Sequence, residues 1–210
     1  MKEEAQRVIT GTTTVGLLVK DAVVLAADMR ATAGTLIVDK RISKVVPITE
    51  TIAVTTSGSV SDLQLLIKYL KAELKLRQIQ TGRPSTVKEA AHLLSAWVYS
   101  ILRTNMGICH FVLGGYDRQP GLYDIYPDGS LTEMKDYTAS GSGSVIAYGV
   151  LEDQFKANMS LEDGVQLALK SINAALQRDS ATGNGITIYV IDKNGMRQHL
   201  VRELTQSLMK

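Results

Sequence analysis

Two Val- and Thr-rich runs, TTTVGLLV (12–19) and AVVLAAD (22–28), are separated only by Lys20–Asp21. A two-residue connection reads as a tight turn between antiparallel strands. Further short strand-like pieces follow: TLIV (35–38), SKVVPI (43–48) and TIAVTTS (51–57). Short strands with short breaks favour an antiparallel sheet over parallel units joined by crossover helices.

Two helices are predicted next. The first begins near Ser59, where Ser59 and Asp62 have the spacing of a capping box, and ends near Thr81–Gly82. Leu63, Leu66, Ile67, Leu70 and Leu74 repeat along it at helical spacing. The second opens at Pro84-Ser85-Thr86, with Glu89 three residues after Thr86, and runs to about Thr104. Ala90, Leu93, Leu94, Trp97 and Ile101 form its predicted buried stripe. Strands return over 109–116, 122–126 and 130–139, with Asp128–Gly129 as a hairpin turn. Helices are expected over 144–157 and 161–178, the latter capped by Ser160 with Asp163. GITIYVID (185–192) and MRQHLVR (196–202) close the chain as a hairpin around Asn194–Gly195. The order of strands, helix pair, strands, helix pair, strands predicts two antiparallel sheets face to face with helices outside. With 210 residues and no linker or repeat, one domain is expected.

Composition excludes little and adds little. A net charge of +2 is far from the basic excess of a nucleic-acid binder. The run KYLKAELKLR (68–77) mixes its charges with apolar residues and reads as a solvated helix face. No apolar stretch approaches the roughly 20 residues of a membrane-spanning helix. MKEEAQRVITG carries acidic residues and no apolar centre, so it is not read as a signal peptide. The expectation is a soluble chain of the cytoplasm. Cys109 stands alone in an apolar strand, which rules out a disulfide within the chain and reads as a buried core thiol.

The three histidines, His92, His110 and His199, are scattered, so a histidine-based triad has no support and each reads as structural or superficial. No metal or cofactor motif is present in the sequence. A nucleophile therefore needs another base. Gly11-Thr12-Thr13-Thr14-Val15-Gly16 places a glycine before a threonine at the start of a strand. Cutting the Gly11–Thr12 bond would give Thr12 a hydroxyl and a free α-amine together. Such an amine has a reference pKa of about 7.7–8.0, so part of it is neutral near pH 7 and can accept the hydroxyl proton.

TTTVG, AADMRATAG, KRISK, TTSGSVSD, YTASGSGS and RDSATGNGI occur in that order, and the chain from Thr12 onward resembles the proteasome beta subunits, a family of N-terminal nucleophile (Ntn) hydrolases. The resemblance implies a four-layer αββα sandwich, with two antiparallel sheets between helix pairs. Residues 1–11 would be a propeptide removed by self-cleavage, and 12–210 the catalytic domain. By position, Thr12 matches the nucleophile, Asp28 the buried aspartate and Lys44 the lysine beside the nucleophile. Gly58 matches the oxyanion-binding glycine. Ser140, Asp179 and Thr182 match the polar cluster that orients the terminal amine and a water; Thr182 stands where the family commonly has serine. Thr32 and Gly34, with Gly58, match residues that pair with an extended peptide backbone. Ala31, Ile42, Val46 and Thr56 match the lining of the specificity pocket. None of the four is charged, so small-to-medium apolar side chains are expected to be preferred over acidic or basic ones.

The family's assembly implies heptameric beta rings stacked between alpha-subunit rings. A regulatory ATPase stands at the alpha ends, and unfolded polypeptide is the substrate. No cofactor, nucleic acid or membrane partner is implied. The short propeptide and unspecialised pocket resemble archaeal members. Two other readings stay open: a structural ring subunit that keeps its propeptide, and a different Ntn hydrolase such as an amidase.

Overall fold

AVVLAAD forms strand β2 (Ala22–Asp28), and all seven residues are buried. A strand without an exposed face needs cover on both sides. The computed structural model, which describes residues 11–103 and 108–204, shows what supplies it. Val23, Leu25 and Ala27 point into a core between two sheets, while Ala22, Val24 and Ala26 point into a core under helices. The period-two alternation of a strand thus serves two cores at once.

β2 is the central strand of the first sheet. It shares that sheet with β1 (Thr14–Val19), β10 (Tyr137–Ser140), β11 (Gly185–Asp192) and β12 (Gly195–Glu203), in the order β10-β1-β2-β11-β12, with antiparallel pairing throughout. The second sheet has the order β5 (Val45–Pro47), β6 (Ile52–Gly58), β7 (Cys109–Tyr116), β8 (Pro120–Ile125), β9 (Leu131–Met134), again antiparallel. A separate hairpin joins β3 (Ala31–Ala33) to β4 (Leu36–Asp39).

Helices α1 (Val60–Thr81) and α2 (Val87–Arg103) pack on the second sheet, and α3 (Ser144–Gln154) and α4 (Leu161–Arg178) on the first. Phe111, Leu113, Leu66, Leu70 and Leu94 lie in the core beneath α1 and α2. Burying each such side chain contributes about 1.5–3 kcal/mol. The result is the expected four-layer αββα sandwich. Among the described residues no helix is long and apolar enough to cross a membrane.

Several local expectations need correction. The predicted strand over 130–139 is two strands in different sheets: β9 pairs with β8, β10 pairs with β1, and the chain crosses between sheets at Lys135–Asp136. Asp136 marks the new register, its carbonyl accepting the Leu18 N–H at 2.6 Å. The helix expected over 144–157 stops at Gln154, where extended Phe155 serves as C-cap. Ser59 does not cap α1 through its side chain. Its hydroxyl meets the Ser61 hydroxyl instead, and its N–H bonds the Ile108 carbonyl at 2.8 Å.

The other caps form. Thr86 Oγ1 accepts from Glu89 N–H at 3.1 Å, and Glu89 Oε2 accepts from Thr86 N–H at 2.7 Å. Ser160 accepts from Asp163 N–H at 3.1 Å. Residues 1–10 of the expected propeptide, the helix end at Thr104 and the Ile101 side chain lie outside what is described.

Candidate active site

Thr12 precedes β1 at its N-terminal end, 3% exposed. Its hydroxyl donates to the carbonyl oxygen of Gly11 at 2.7 Å. That same oxygen lies 3.5 Å from Lys44 Nζ. Gly11 is held from its other side: its N–H donates to Thr32 Oγ1 at 3.0 Å. A β-carbon at position 11 would stand 1.8 Å from the Ala181 side chain. Glycine is therefore required there by close packing.

Lys44 precedes β5 and Asp28 ends β2. Lys44 Nζ is 2.6 Å from Asp28 Oδ1, and the two side chains are 5% and 0% exposed. The carboxylate is fully engaged. Oδ1 also accepts from Thr13 N–H, and Oδ2 accepts from the N–H groups of Arg30 and Gly183, each at 3.0 Å. Burial holds the Lys44 ammonium below the ordinary lysine pKa, and the neighbouring Asp28 charge opposes that shift.

The third group contains a residue that the sequence reading missed. Ser140 ends β10 directly opposite Thr14 and turns its hydroxyl to Thr14 Oγ1 (2.7 Å) and Ser57 Oγ (3.1 Å), inside a chain that continues to Thr55. The hydroxyl that meets Thr12 belongs to Ser142, which accepts from Thr12 N–H at 3.2 Å and donates to Asp179 Oδ2 at 2.6 Å. Thr182 Oγ1 donates to the same oxygen at 2.6 Å and lies 2.7 Å from Thr13 Oγ1. The threonine at 182 thus makes both contacts while 1% exposed, its methyl group accommodated. A signal for Ser142 was in the sequence: it stands between two glycines. A β-carbon at Gly141, whose φ is 91°, would fall 2.2 Å from the Thr12 carbonyl oxygen, and one at Gly143 2.0 Å from Thr13 Oγ1. A serine flanked this way is held close to the Thr12 carbonyl on one side and the Thr13 hydroxyl on the other.

Gly58 ends β6 with φ 119°, and a β-carbon there would meet the Ile108 carbonyl at 2.0 Å. Ser57, beside it, joins the Ser140 hydroxyl, which fixes this end of β6 against the start of β1. Thr56 N–H bonds the Lys44 carbonyl at 3.0 Å. Next to it opens a cleft of about 410 Å³ whose lining includes Ile42, Val46 and Thr56. Ala31, expected with them, lies buried in β3 and is not part of that lining. Gly34 sits in the exposed turn between β3 and β4 with φ 61°. Lys68 and Lys71 from α1 also line the cleft, beside the uncharged residues expected there.

The remaining reactive groups lie elsewhere. Cys109 is buried, and burial, with the Asp62 charge second, pushes its thiol up to about 12. His110 Nε2 lies 2.7 Å from Asp124 Oδ1, and the other Asp124 oxygen accepts from the Thr138 hydroxyl, a polar link between the two sheets. His92 and His199 are exposed.

A proteasome subunit family model matches residues 8–191. A proteasome subunit beta of Methanocaldococcus vulcanius is 42% identical over 200 residues, covering 94% of this chain and 89% of the relative. One from Methanocaldococcus jannaschii is 44% identical over 192 residues, 90% of this chain and 85% of the relative. One from Methanopyrus kandleri is 38% identical over 209 residues, 99% of both chains. These relatives are archaeal. With the family model spanning most of the sequence and the relatives aligned over nearly all of it, the chain belongs to the proteasome subunit family, in its beta branch.

Proposed function

We propose that this chain is a threonine endopeptidase subunit of a 20S proteasome core, activated when Thr12 cleaves its own bond to Gly11. One observation carries the reading. The Gly11 carbonyl oxygen is met by both the Thr12 hydroxyl at 2.7 Å and the Lys44 ammonium at 3.5 Å. The attacking oxygen and a positive charge converge on the bond to be cut.

In self-cleavage, Thr12 Oγ1 attacks the Gly11 carbonyl carbon. The Gly11–Thr12 amide becomes an ester on Oγ1, and the Thr12 nitrogen leaves as a free amine. Water hydrolyses the ester, giving a Gly11 carboxylate and restoring the hydroxyl. Gly11 here acts as an internal substrate. Thr32, expected to pair with a peptide backbone, already holds the Gly11 N–H at 3.0 Å, which supports that role.

In turnover, the freed amine takes the Thr12 hydroxyl proton as Oγ1 attacks a peptide carbonyl. The Lys44 ammonium, charge-balanced by Asp28, lowers the cost of the oxyanion-like nucleophile and disfavours a second positive charge on the amine. The Gly58 N–H serves the tetrahedral oxyanion, a donor of a kind that contributes about 3 kcal/mol. Ser142, Asp179 and Thr182 orient the amine and the water that completes deacylation. Ser142 replaces Ser140 in this assignment because its hydroxyl is the one bonded to Thr12 N–H.

Ring assembly with further beta subunits and with alpha rings gives the particle that encloses unfolded polypeptide. Exposed apolar residues on α1 (Tyr69, Leu76 and Ile79, the last 70% exposed) and on β4 (Leu36 and Val38) support burial against other subunits. The test is Thr12→Ala in the assembled particle. The expected result is intact rings, a chain that keeps residues 1–11, and no peptide hydrolysis. Hydrolysis at the parent rate would overturn the assignment of the nucleophile.

A further inference from the structure

Asparagine is followed by glycine twice, at Asn184–Gly185 and Asn194–Gly195. In such a pair the backbone nitrogen of the glycine can reach the asparagine side-chain carbonyl, because no β-carbon stands in the way. The fold treats the two pairs differently. Asn184 Oδ1 accepts from Arg30 Nε at 2.8 Å, and the Asn184 carbonyl accepts from Leu204 N–H at 3.0 Å. Gly185 is buried, its β-carbon position closed by Met29 Sδ at 2.5 Å and the Arg202 carbonyl at 2.6 Å. Asn194 is exposed in the turn between β11 and β12, and its N–H donates to Asp192 Oδ1 at 2.8 Å. Among the described residues its side chain has no hydrogen-bond partner. A β-carbon at Gly195 would meet only the Glu50 carbonyl, at an ordinary contact distance of 3.4 Å. One amide is tied and walled in; the other is free and has room.

The free one stands at a seam. Asp192 pairs with Ala22, at the end of β2 opposite Asp28, so the turn lies at the far end of the first sheet from Thr12. Met196 N–H crosses to the Glu50 carbonyl at 3.0 Å. Glu50 belongs to the second sheet's β5–β6 connection, where the N–H groups of Ile48 and Thr49 bond the Ile52 carbonyl. Asp192 Oδ2 accepts from Arg197 at 2.5 Å, which braces the same turn.

We propose that Asn194 is a site of spontaneous deamidation and that its product loosens the seam between the β11–β12 turn and the β5–β6 connection. The Gly195 nitrogen, giving its proton to hydroxide, attacks Asn194 Cγ. The new N–Cγ bond closes a succinimide, the Cγ–Nδ2 bond breaks, and ammonia leaves with a proton taken from water. Water then opens the ring at either carbonyl, giving aspartate or isoaspartate. No oxidant, cofactor or second protein is consumed. Isoaspartate carries the main chain through the former side chain and lengthens it by one methylene, which shifts Met196 out of register with Glu50. Either product also places a carboxylate near Asp192, where it competes for Arg197. The inference is independent of the endopeptidase reading, because the turn is remote from Thr12.

The experiment incubates the assembled particle at mildly alkaline pH and follows both Asn–Gly pairs by peptide mapping and mass spectrometry, with isoaspartate separated from aspartate. Conversion is expected roughly ten- to a hundredfold faster at Asn194 than at Asn184, the factor that one hydrogen bond from a charged donor represents. It should speed up with pH, since the Gly195 nitrogen must lose its proton. In the same chain held unfolded in denaturant the two sites should react at similar rates. Amide hydrogen exchange at Ile48, Thr49 and Met196 should rise in the converted particle, and a particle of the Asn194→Ala variant incubated alike should show no rise. Equal rates at the two sites in the folded particle, or conversion of Asn184 while Asn194 keeps its amide, overturns the site. Conversion without any change in exchange overturns the loosening. The map of the parent decides the site even if the variant does not assemble.

Discussion

Lys44 and Asp28 form an ion pair of 2.6 Å in which neither side chain is more than 5% exposed. The pair is asymmetric in its support. Asp28 has three backbone N–H donors besides the ammonium, whereas Lys44 has Asp28 and the more distant Gly11 carbonyl. Removing the carboxylate therefore strands a buried charge, and removing the lysine leaves a carboxylate that is still hydrogen-bonded.

Asp28→Asn should accordingly destabilise the subunit by about 3–5 kcal/mol, and Lys44→Met by less. Thermal unfolding of the two variants measures the order. Both should retain residues 1–11, because each disturbs the charge beside the Gly11 carbonyl. Full processing in Lys44→Met would remove the lysine from the mechanism.

Ser142→Ala and Ser140→Ala separate two hydroxyls that lie two residues apart. Loss of the Ser142 hydroxyl breaks the link from Thr12 N–H to Asp179, and kcat should fall about 10²-fold with little change in the unfolding midpoint. Loss of the Ser140 hydroxyl leaves Thr14 and Ser57 short of a buried partner and should cost about 1–3 kcal/mol of stability. Peptide hydrolysis and thermal unfolding on both variants give the comparison. The opposite pattern would return the site role to Ser140.

Glu89 caps α2 and pairs with Arg83 at 2.7 Å. The Arg83 guanidinium, followed by the Thr86 backbone N–H, holds its carboxyl down at about 2 against an ordinary value of 4.5. A depressed folded-state pKa means that the unfolded chain binds the proton first. The stabilisation is therefore complete above about pH 4.5 and is lost as pH falls toward 2. Both side chains of the pair are largely exposed and screened by solvent, so Glu89→Gln should lower stability by less than about 1 kcal/mol at pH 7, with the gap to the parent closing between pH 4.5 and 2. Denaturant midpoints across that range check it.

The fold and the reacting centre differ in how far the sequence reveals them. Element order and the caps at Thr86 and Ser160 follow from local patterns, and so does the fully buried run of β2. The crossing at Lys135–Asp136 does not, because β9 and β10 each look like ordinary strand and only their partners differ. Ser59 and Asp62 show the spacing of a cap, but tertiary structure ties Ser59 N–H to Ile108 and buries Asp62. Thr12, Asp28 and Lys44 could be named from their motifs, and the structure brings their side chains and the Gly11 carbonyl together. Ser142 was displaced by two because the run Ser140-Gly141-Ser142-Gly143 offers two serines, and Gly141, which must clear the Thr12 carbonyl, adjoins both; only the tertiary contact of Thr12 N–H with the Ser142 hydroxyl tells them apart. Lys68 and Lys71 belong to a helix face that reads as solvated. Only the packing of α1 beside Ile42 and Val46 makes that face one side of a cleft.

The most direct measurement is the intact mass of this chain taken from an assembled particle that hydrolyses peptides. A mass matching a chain that begins at Thr12 is the predicted result, since only that chain owns a hydroxyl and a free amine on one residue. A particle of full activity whose chain still carries residues 1–11 would contradict the account.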